Sequence, residues 1–253
     1  MDVKMIVTDL DGTLLREDKT ISGLTLSALK QCREKGMKVV YATGRGESSR
    51  ILAPSEFFDG FVRMNGATAY LGDTLVYSRL IPIENIRDLL IAVNNEGYKI
   101  AIEYNGNHYA NFDVTEKWAW LPHYEVADFS VLDVEVEKFF AVVETPEVPD
   151  FISKHLPNGL YMYVSRDGLA MVMHEEAIKS NALIALADHW GIKPAEIVAF
   201  GDDTNDIDLL ERCGIGVAMG NALDEAKNAA DYICDTNDND GIAKWLEENV
   251  LSE

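Results

Sequence analysis

A short apolar run, Met5-Ile6-Val7, leads into two aspartates one residue apart in the stretch MIVTDLDGTLL, residues 5–15. The run reads as a buried strand. On a strand, residues i and i+2 point the same way, so Asp9 and Asp11 face one spot at its carboxyl end. Two carboxylates that close repel each other by about 1 kcal/mol in water and about 4 kcal/mol at an effective dielectric of 20. The rest of the chain must therefore place something beside them.

The strand is the first beat of a regular pattern. Ser22 reads as the N-cap of a helix over 23–35, stopped by Gly36. MKVVYAT is a second buried strand ending at Thr43, GESSRILA starts a helix, and DGFVRMNGA is a third strand running into a turn. Strand-helix-strand-helix-strand is the rhythm of a parallel sheet covered on both faces. It resumes near the C-terminus, where SNALIALADHWG, NDIDLLERCG and IAKWLEENVL are helical, EIVAFGDD and GIGVAMG are strands, and LDEAKNAADYICD is a helix feeding a short strand.

The middle behaves differently. DTLVYSRLI reads as a strand and IENIRDLLIAVNNEG as a helix stopped by Gly97. YKIAIEY, NHYANF, YMYVSRDG and LAMVMHE alternate as half-buried strands do, the last two forming a hairpin with its turn at Asp167-Gly168. The expectation is α/β: a doubly wound, mostly parallel core over 1–81 and 177–253, with an inserted α+β unit over 82–176.

The chain has 253 residues and is 47% apolar, enough for a full core. Its formal net charge of -21 makes nucleic acid and anionic membranes poor partners, because both are bound through Lys and Arg. Three cysteines, Cys32, Cys213 and Cys234, lie far apart without paired spacing and read as reduced packing residues of a cytoplasmic protein. No signal peptide and no membrane-spanning run stand out. No heptad seam bears on oligomeric state.

A second acidic group follows the apolar run IVAF. In GDDTND, residues 201–206, Asp202, Asp203, Asn205 and Asp206 crowd a helix start. One N-cap needs one such residue, and here four fall in five positions. If these acids share a crevice with Asp9 and Asp11, their repulsion would consume much of a domain's ~5–15 kcal/mol stability. A hard divalent cation with oxygen ligands removes the conflict, and Mg2+ suits a site completed by waters and a phosphate. Phosphate also needs donors. ATGR puts Thr43 and Gly44 at the end of the second strand, and AIKSNAL supplies Lys179 just before a helix.

DLDGTLL, ATGR, the Lys of AIKSNAL and GDDTND occur in the order and setting of the four motifs of the haloacid dehalogenase superfamily. With MNGA after the third strand and a large mid-chain insert, the sequence resembles the Cof-type branch of Mg2+-dependent phosphatases. The motifs cover the whole core. The residue after the motif Lys is often Gly in that branch and is Ser180 here. The resemblance implies an inserted cap that closes over the crevice, and the following roles. Asp9 attacks phosphorus and becomes an aspartyl phosphate. Asp11 is general acid and then base, its neighbouring charges favouring a bound proton. Asp9, the backbone carbonyl of Asp11 and Asp202 bind Mg2+, with Asp206 bound directly or one step removed. Thr43, Gly44, Lys179 and Asn205 hold the phosphoryl group, and Arg45 and Asn65 contact the leaving group. EKWAWLPHY, with Trp118, Trp120, Tyr124 and His123, either lines a sugar or ring or packs the insert's own core. His174 reads as a satisfied surface residue.

The implied reaction is hydrolysis of a small phosphorylated metabolite such as a sugar phosphate. A phosphomutase would use the same aspartyl phosphate. A receiver-like signalling domain has an acid pocket, Thr, Lys and Mg2+, but lacks the second acid and needs no large insert. A metal-dependent glycosyltransferase would leave GDDTND and Lys179 unexplained.

Overall fold

The computed structural model describes residues 2–118, 124–165 and 167–252. In chain order the elements are β1 (Met5–Thr8), α1 (Gly23–Glu34), β2 (Lys38–Ala42), α2 (Ser49–Leu52), β3 (Gly60–Arg63), β4 (Thr68–Leu71), β5 (Thr74–Ser78), α3 (Ile83–Asn95), β6 (Ile100–Tyr104), β7 (Asn107–Ala110), β8 (Tyr124–Val126), β9 (Lys138–Val142), α4 (Glu147–His155), β10 (Leu160–Val164) and β11 (Leu169–His174). The chain closes with α5 (Lys179–Asp188), β12 (Ile197–Gly201), α6 (Ile207–Arg212), β13 (Ile215–Ala218), α7 (Asp224–Ala229), β14 (Tyr232–Ile233) and α8 (Gly241–Leu246). It divides into two compact units, Met1–Ser78 with Ile178–Glu253, and Arg79–Ala177.

The first unit holds one eight-stranded sheet in the order β14-β13-β12-β1-β2-β3-β4-β5. The strands from β14 to β3 pair in parallel, and β3-β4-β5 is an antiparallel meander. β4 is the strand that sequence patterning misses: TAYL is only four residues long and follows β3 after a tight Met64–Gly66 turn. The period of two along each parallel strand feeds two cores. Ile6, Tyr41 and Phe200 pack with Leu29 of α1 and Leu246 of α8, while Val7, Ala42 and Ala199 pack with Leu183 and Leu186 of α5. Such strands carry apolar residues at almost every position because both faces are covered. As expected, Ser22 caps α1, its Oγ accepting from Thr25 N at 2.9 Å.

This topology sets where chemistry can sit. The chain leaves β1 for β2 on one side, and β12 on the other side leads away to β13. The switch point therefore lies between β1 and β12, the crevice where open α/β sheets bind ligands at the strands' carboxyl ends.

The second unit has a six-stranded sheet, β10-β11-β9-β6-β7-β8, with only β7-β8 parallel. β8, β9 and α4 were not foreseen: YEV is only three residues long, KFFAV is a continuous apolar run after its Lys without alternation, and EVPDFISKH has a proline at its third position. Ile100, Ile102, Phe139 and Val172 pack against Leu90 of α3 and Ile152 of α4. The opposite face carries Glu103, His108, Lys138 and Phe140. Trp118 packs edge-on against Phe140, with ring centroids 5.3 Å apart. Trp120 and His123 lie outside the described residues. His174 accepts a hydrogen bond on Nδ1 from Glu176 N at 3.1 Å, a satisfied polar contact as expected. Among the described residues no helix is long and apolar enough to cross a membrane.

Candidate active site

Asp9 follows directly on β1, its backbone N–H extending the ladder to Phe200 O at 3.0 Å. The chain then coils: Leu14 N donates to Asp9 O and Leu15 N to Leu10 O. Gly12 takes φ 79 within this coil. A Cβ added there would stand 2.4 Å from Asp202 Oδ2, so only glycine lets the Asp202 carboxylate lie against the loop. Thr13 Oγ1 donates to Asp202 Oδ1 at 2.8 Å. Asn221 Nδ2 holds the Gly12 carbonyl at 2.7 Å.

Lys179, at the first position of α5, is 1% exposed. Its Nζ donates to Asp9 Oδ1 and to Asp206 Oδ1, both at 2.7 Å. Asp206 spends its other oxygen on the backbone N–H groups of Asp202 (3.1 Å) and Asp203 (3.2 Å). Both Asp206 oxygens therefore serve protein donors, fixing the 201–206 turn and the lysine together. Ser180 donates to Asp208, so the residue standing where the branch often has glycine has its own partner.

The carboxylates of Asp9, Asp202 and Asp206 each offer an oxygen within 4.8 Å of the others, and all three residues are buried. Three buried negative charges against one lysine leave the cluster short of positive charge. Burial pushes the Asp9 carboxyl well above the usual range against the pull of Lys179, with Asp206 and then Asp202 adding to the rise. Burial favours the neutral amine of Lys179, but Asp206 and Asp9 outweigh it and raise its pKa, so it stays charged. Hard oxygen donors and a charge deficit fit a divalent cation such as Mg2+.

Asp11 departs from expectation. Its neighbours do not favour a bound proton. Arg45 donates Nε to Oδ2 at 2.5 Å and Nη2 to Oδ1 at 2.7 Å, and Lys19 Nζ donates to Oδ1 at 2.9 Å. Burial raises the Asp11 pKa, but the hydrogen bonds and charge of Arg45, then of Lys19, outweigh it and hold it below the ordinary value. The nearest charges are cations supplied by other loops, not the acids suggested by the D-x-D spacing. Arg45, expected at the leaving group, lies on Asp11.

The phosphate-binding candidates form a neighbouring group. Thr43, one residue past β2, is 1% exposed, and its Oγ1 accepts from Arg45 N at 3.1 Å. Asn65 takes φ 53, and its Oδ1 accepts from Asn205 Nδ2 at 2.9 Å. A Cβ on Gly44 would approach Asn65 Oδ1 to 2.9 Å, so glycine allows the two loops to meet. Gly66 is held still more tightly, with a Cβ there falling 2.3 Å from the Ile178 carbonyl. The structure thus joins Asp9, Lys179, Asp206 and Asp202 in one cluster, Asp11 with Arg45, and Asn65 with Asn205. Sequence reasoning assigned no part to Thr13 or Lys19. Thr13 stands inside the quoted D-x-D-G-T motif and could have been noticed there, whereas nothing in the spacing of REDKTIS marks Lys19.

The model of the haloacid dehalogenase-like hydrolases matches residues 6–246. The chain belongs to the haloacid dehalogenase-like hydrolases. Over 99% of its length this hydrolase is 30% identical to 5-amino-6-(5-phospho-D-ribitylamino)uracil phosphatase YcsE of Bacillus subtilis, covering 97% of that protein. Among solved structures it resembles the phosphatase BT1666 of Bacteroides thetaiotaomicron, with TM-score 0.85, 30% identity, and coverage of 97% of this chain and 94% of that one. A sugar phosphatase of subclass IIB aligns with TM-score 0.84 at 27% identity, covering 97% of this hydrolase and 98% of its own chain.

Proposed function

We propose that this hydrolase, a phosphatase of small phosphoric monoesters, works through an aspartyl phosphate formed on Asp9 beside a bound Mg2+. The observation that carries the reading is the Asp9–Lys179–Asp206 arrangement next to Asp202 at the sheet's switch point. Lys179 holds the nucleophile's Oδ1 at 2.7 Å and keeps its own charge, so it can also meet the charge on a phosphoryl oxygen.

Asp9, the Asp11 carbonyl and Asp202 would hold Mg2+, while Asp206 holds Lys179 and the 201–206 turn. When bound, the ion supplies positive charge to the phosphoryl oxygens and keeps Asp9 ionised at neutral pH. In the first step an Asp9 oxygen bonds to phosphorus as the bond to the leaving oxygen breaks, and Asp11 gives that oxygen a proton. In the second, Asp11 takes a proton from the water whose oxygen bonds to phosphorus as the phosphorus–oxygen bond to Asp9 breaks, which frees inorganic phosphate and restores the Asp9 carboxylate. Its cationic neighbours favour the carboxylate that this base step needs. The acid step calls for Arg45 to be drawn off Asp11 by the incoming substrate. Thr43, Gly44 and Asn205 act as phosphoryl donors, and Asn65 orients Asn205.

The domain reading assigns the core to 1–81 and 177–253 and substrate selection to the insert over 82–176, which has a hydrophobic core of its own. The substrate class is a hydroxylated phosphomonoester. The phosphatases named above act, by their names, on a ribitylamino-uracil phosphate and on a sugar phosphate. A phosphate-release assay across alkyl, sugar, nucleotide and vitamin phosphates tests this reading. Acid quenching during turnover, borohydride reduction and peptide mass spectrometry test the intermediate. The expected result is homoserine at position 9 and none in Asp9→Asn. Turnover without a modified Asp9 overturns the mechanism.

A further inference from the structure

Two cations converge on the Asp11 carboxylate, and one of them, Lys19, belongs to no motif. Lys19 sits in the turn 16–20, which is tied at both ends. Arg16 N donates to Thr20 O, and Lys19 N to Arg16 O, each at 2.9 Å. Asp18 Oδ1 accepts from Thr20 N at 3.0 Å and from Thr20 Oγ1 at 2.6 Å. The turn is also fastened to the loop before α8, through Glu17 N on Asp238 Oδ1 at 3.0 Å and Arg16 Nη2 on Asp240 Oδ1 at 2.9 Å. Within it Lys19 takes φ 64, a left-handed conformation that glycine adopts more easily. Non-glycine residues persist there when the surroundings over-determine them, and such sites concentrate where function needs them. The side chain that this backbone projects ends on Asp11.

We propose that Lys19 is a positioning residue for the proton transfer by Asp11. The proposal rests on the acid–base role assigned to Asp11 above. Arg45 reaches both Asp11 oxygens, so once the substrate draws it away, the rotamer of Asp11 needs a second hold. Lys19 provides it from a different loop, on Oδ1 alone at 2.9 Å, so that the Oδ2 released by Arg45 Nε is the oxygen left to carry the proton. In the first step the phosphorus–oxygen bond to the leaving group breaks, and the Asp11 proton goes to that oxygen. An alkoxide needs the proton, whereas p-nitrophenolate leaves as the anion. A poorly aimed Asp11 therefore slows alkyl phosphates selectively.

The experiment compares kcat/KM, which reports only steps through the first phosphoryl transfer, on p-nitrophenyl phosphate and on the best alkyl phosphate from the release panel. Wild type, Lys19→Met, Lys19→Arg and Asp11→Asn are measured with Mg2+ present. Because general acid catalysis is typically a hundredfold effect or more, Lys19→Met should lose about tenfold or more on the alkyl ester and under about threefold on the aryl ester. Lys19→Arg should recover most of the loss. The Lys19 side chain is 50% exposed, so Lys19→Met should fold normally, as an unchanged melting temperature would verify. Equal losses on both esters, or none, overturn the assignment of Lys19. If Asp11→Asn is selective for the alkyl ester while Lys19→Met is not, only that assignment fails. If Asp11→Asn itself shows no selectivity, the acid role of Asp11 fails, and the proposal with it.

Discussion

Lys179 Nζ stands 2.7 Å from Asp9 Oδ1, a buried contact between residues 170 positions apart. The same amine reaches Asp206 at the same distance. One lysine thus holds the nucleophile candidate to the acidic turn after β12, and three expectations follow from this cluster, with a fourth from the second unit.

Removing the amine strands two buried carboxylates. Breaking a buried pair by deleting one partner costs about 3–5 kcal/mol, so Lys179→Met should lower the unfolding free energy by about 3 kcal/mol or more in urea titrations. Saturating Mg2+ should recover part of the loss. An unchanged midpoint would mean that Lys179 does not neutralise the cluster.

The Asp202 carboxylate can lie against the loop after β1 because residue 12 has no Cβ. Gly12→Ala would drive a methyl to 2.4 Å from Asp202 Oδ2 at a backbone φ of 79. The Asp202 carboxylate must move. Mg2+ affinity, read by calorimetry, should fall about tenfold or more, in keeping with the usual sensitivity of metal sites to the groups around their ligands.

Chelation should abolish phosphate release, and Mg2+ should restore it. Binding requires ionised carboxylates. Burial raises the folded-state pKa of Asp9, so without a cation its contribution to stability is present below the unfolded pKa and lost as pH rises through the folded one. The gain in melting temperature on adding Mg2+ should therefore grow from pH 5 to pH 7.5. A pH-independent gain would place the ion elsewhere.

Glu103 offers a test with the opposite sign in the second unit. Burial pushes its pKa up, but Lys138 Nζ at 3.4 Å and His108 Nε2 at 3.5 Å pull it down to about 2. Its stabilisation is present above the unfolded value of 4.5 and lost as pH falls toward 2. The shift corresponds to on the order of 3 kcal/mol at neutral pH. Wild type should lose stability relative to Glu103→Gln between pH 4.5 and pH 2, measured as the difference in urea midpoints. Parallel curves would refute the pairing.

Much of the site was legible because its residues sit at strand ends. Asp9, Thr43 and the 202–206 acids each follow an apolar run, and a strand's direction and end are local properties. Lys179 was legible from its position at the resumption of the core pattern. The state of Asp11 was not. Its partners come from 8 and 34 positions away, Lys19 in a turn without distinctive spacing and Arg45 past the second strand. The short strand β4 was missed because TAYL lies between the MNGA turn and Gly72 without an apolar run of its own, and β9 because KFFAV is apolar after its Lys without alternation.

By itself the sequence determined the α/β alternation, the caps and the order of the motifs, because periodicity and turn chemistry act over a few residues. Only the tertiary structure decided which charges meet. Whether a carboxyl is raised, as Asp9 is, or lowered, as Asp11 is, depends on burial and on cations at 2.5 to 2.9 Å. Sequence spacing does not encode those distances across the fold.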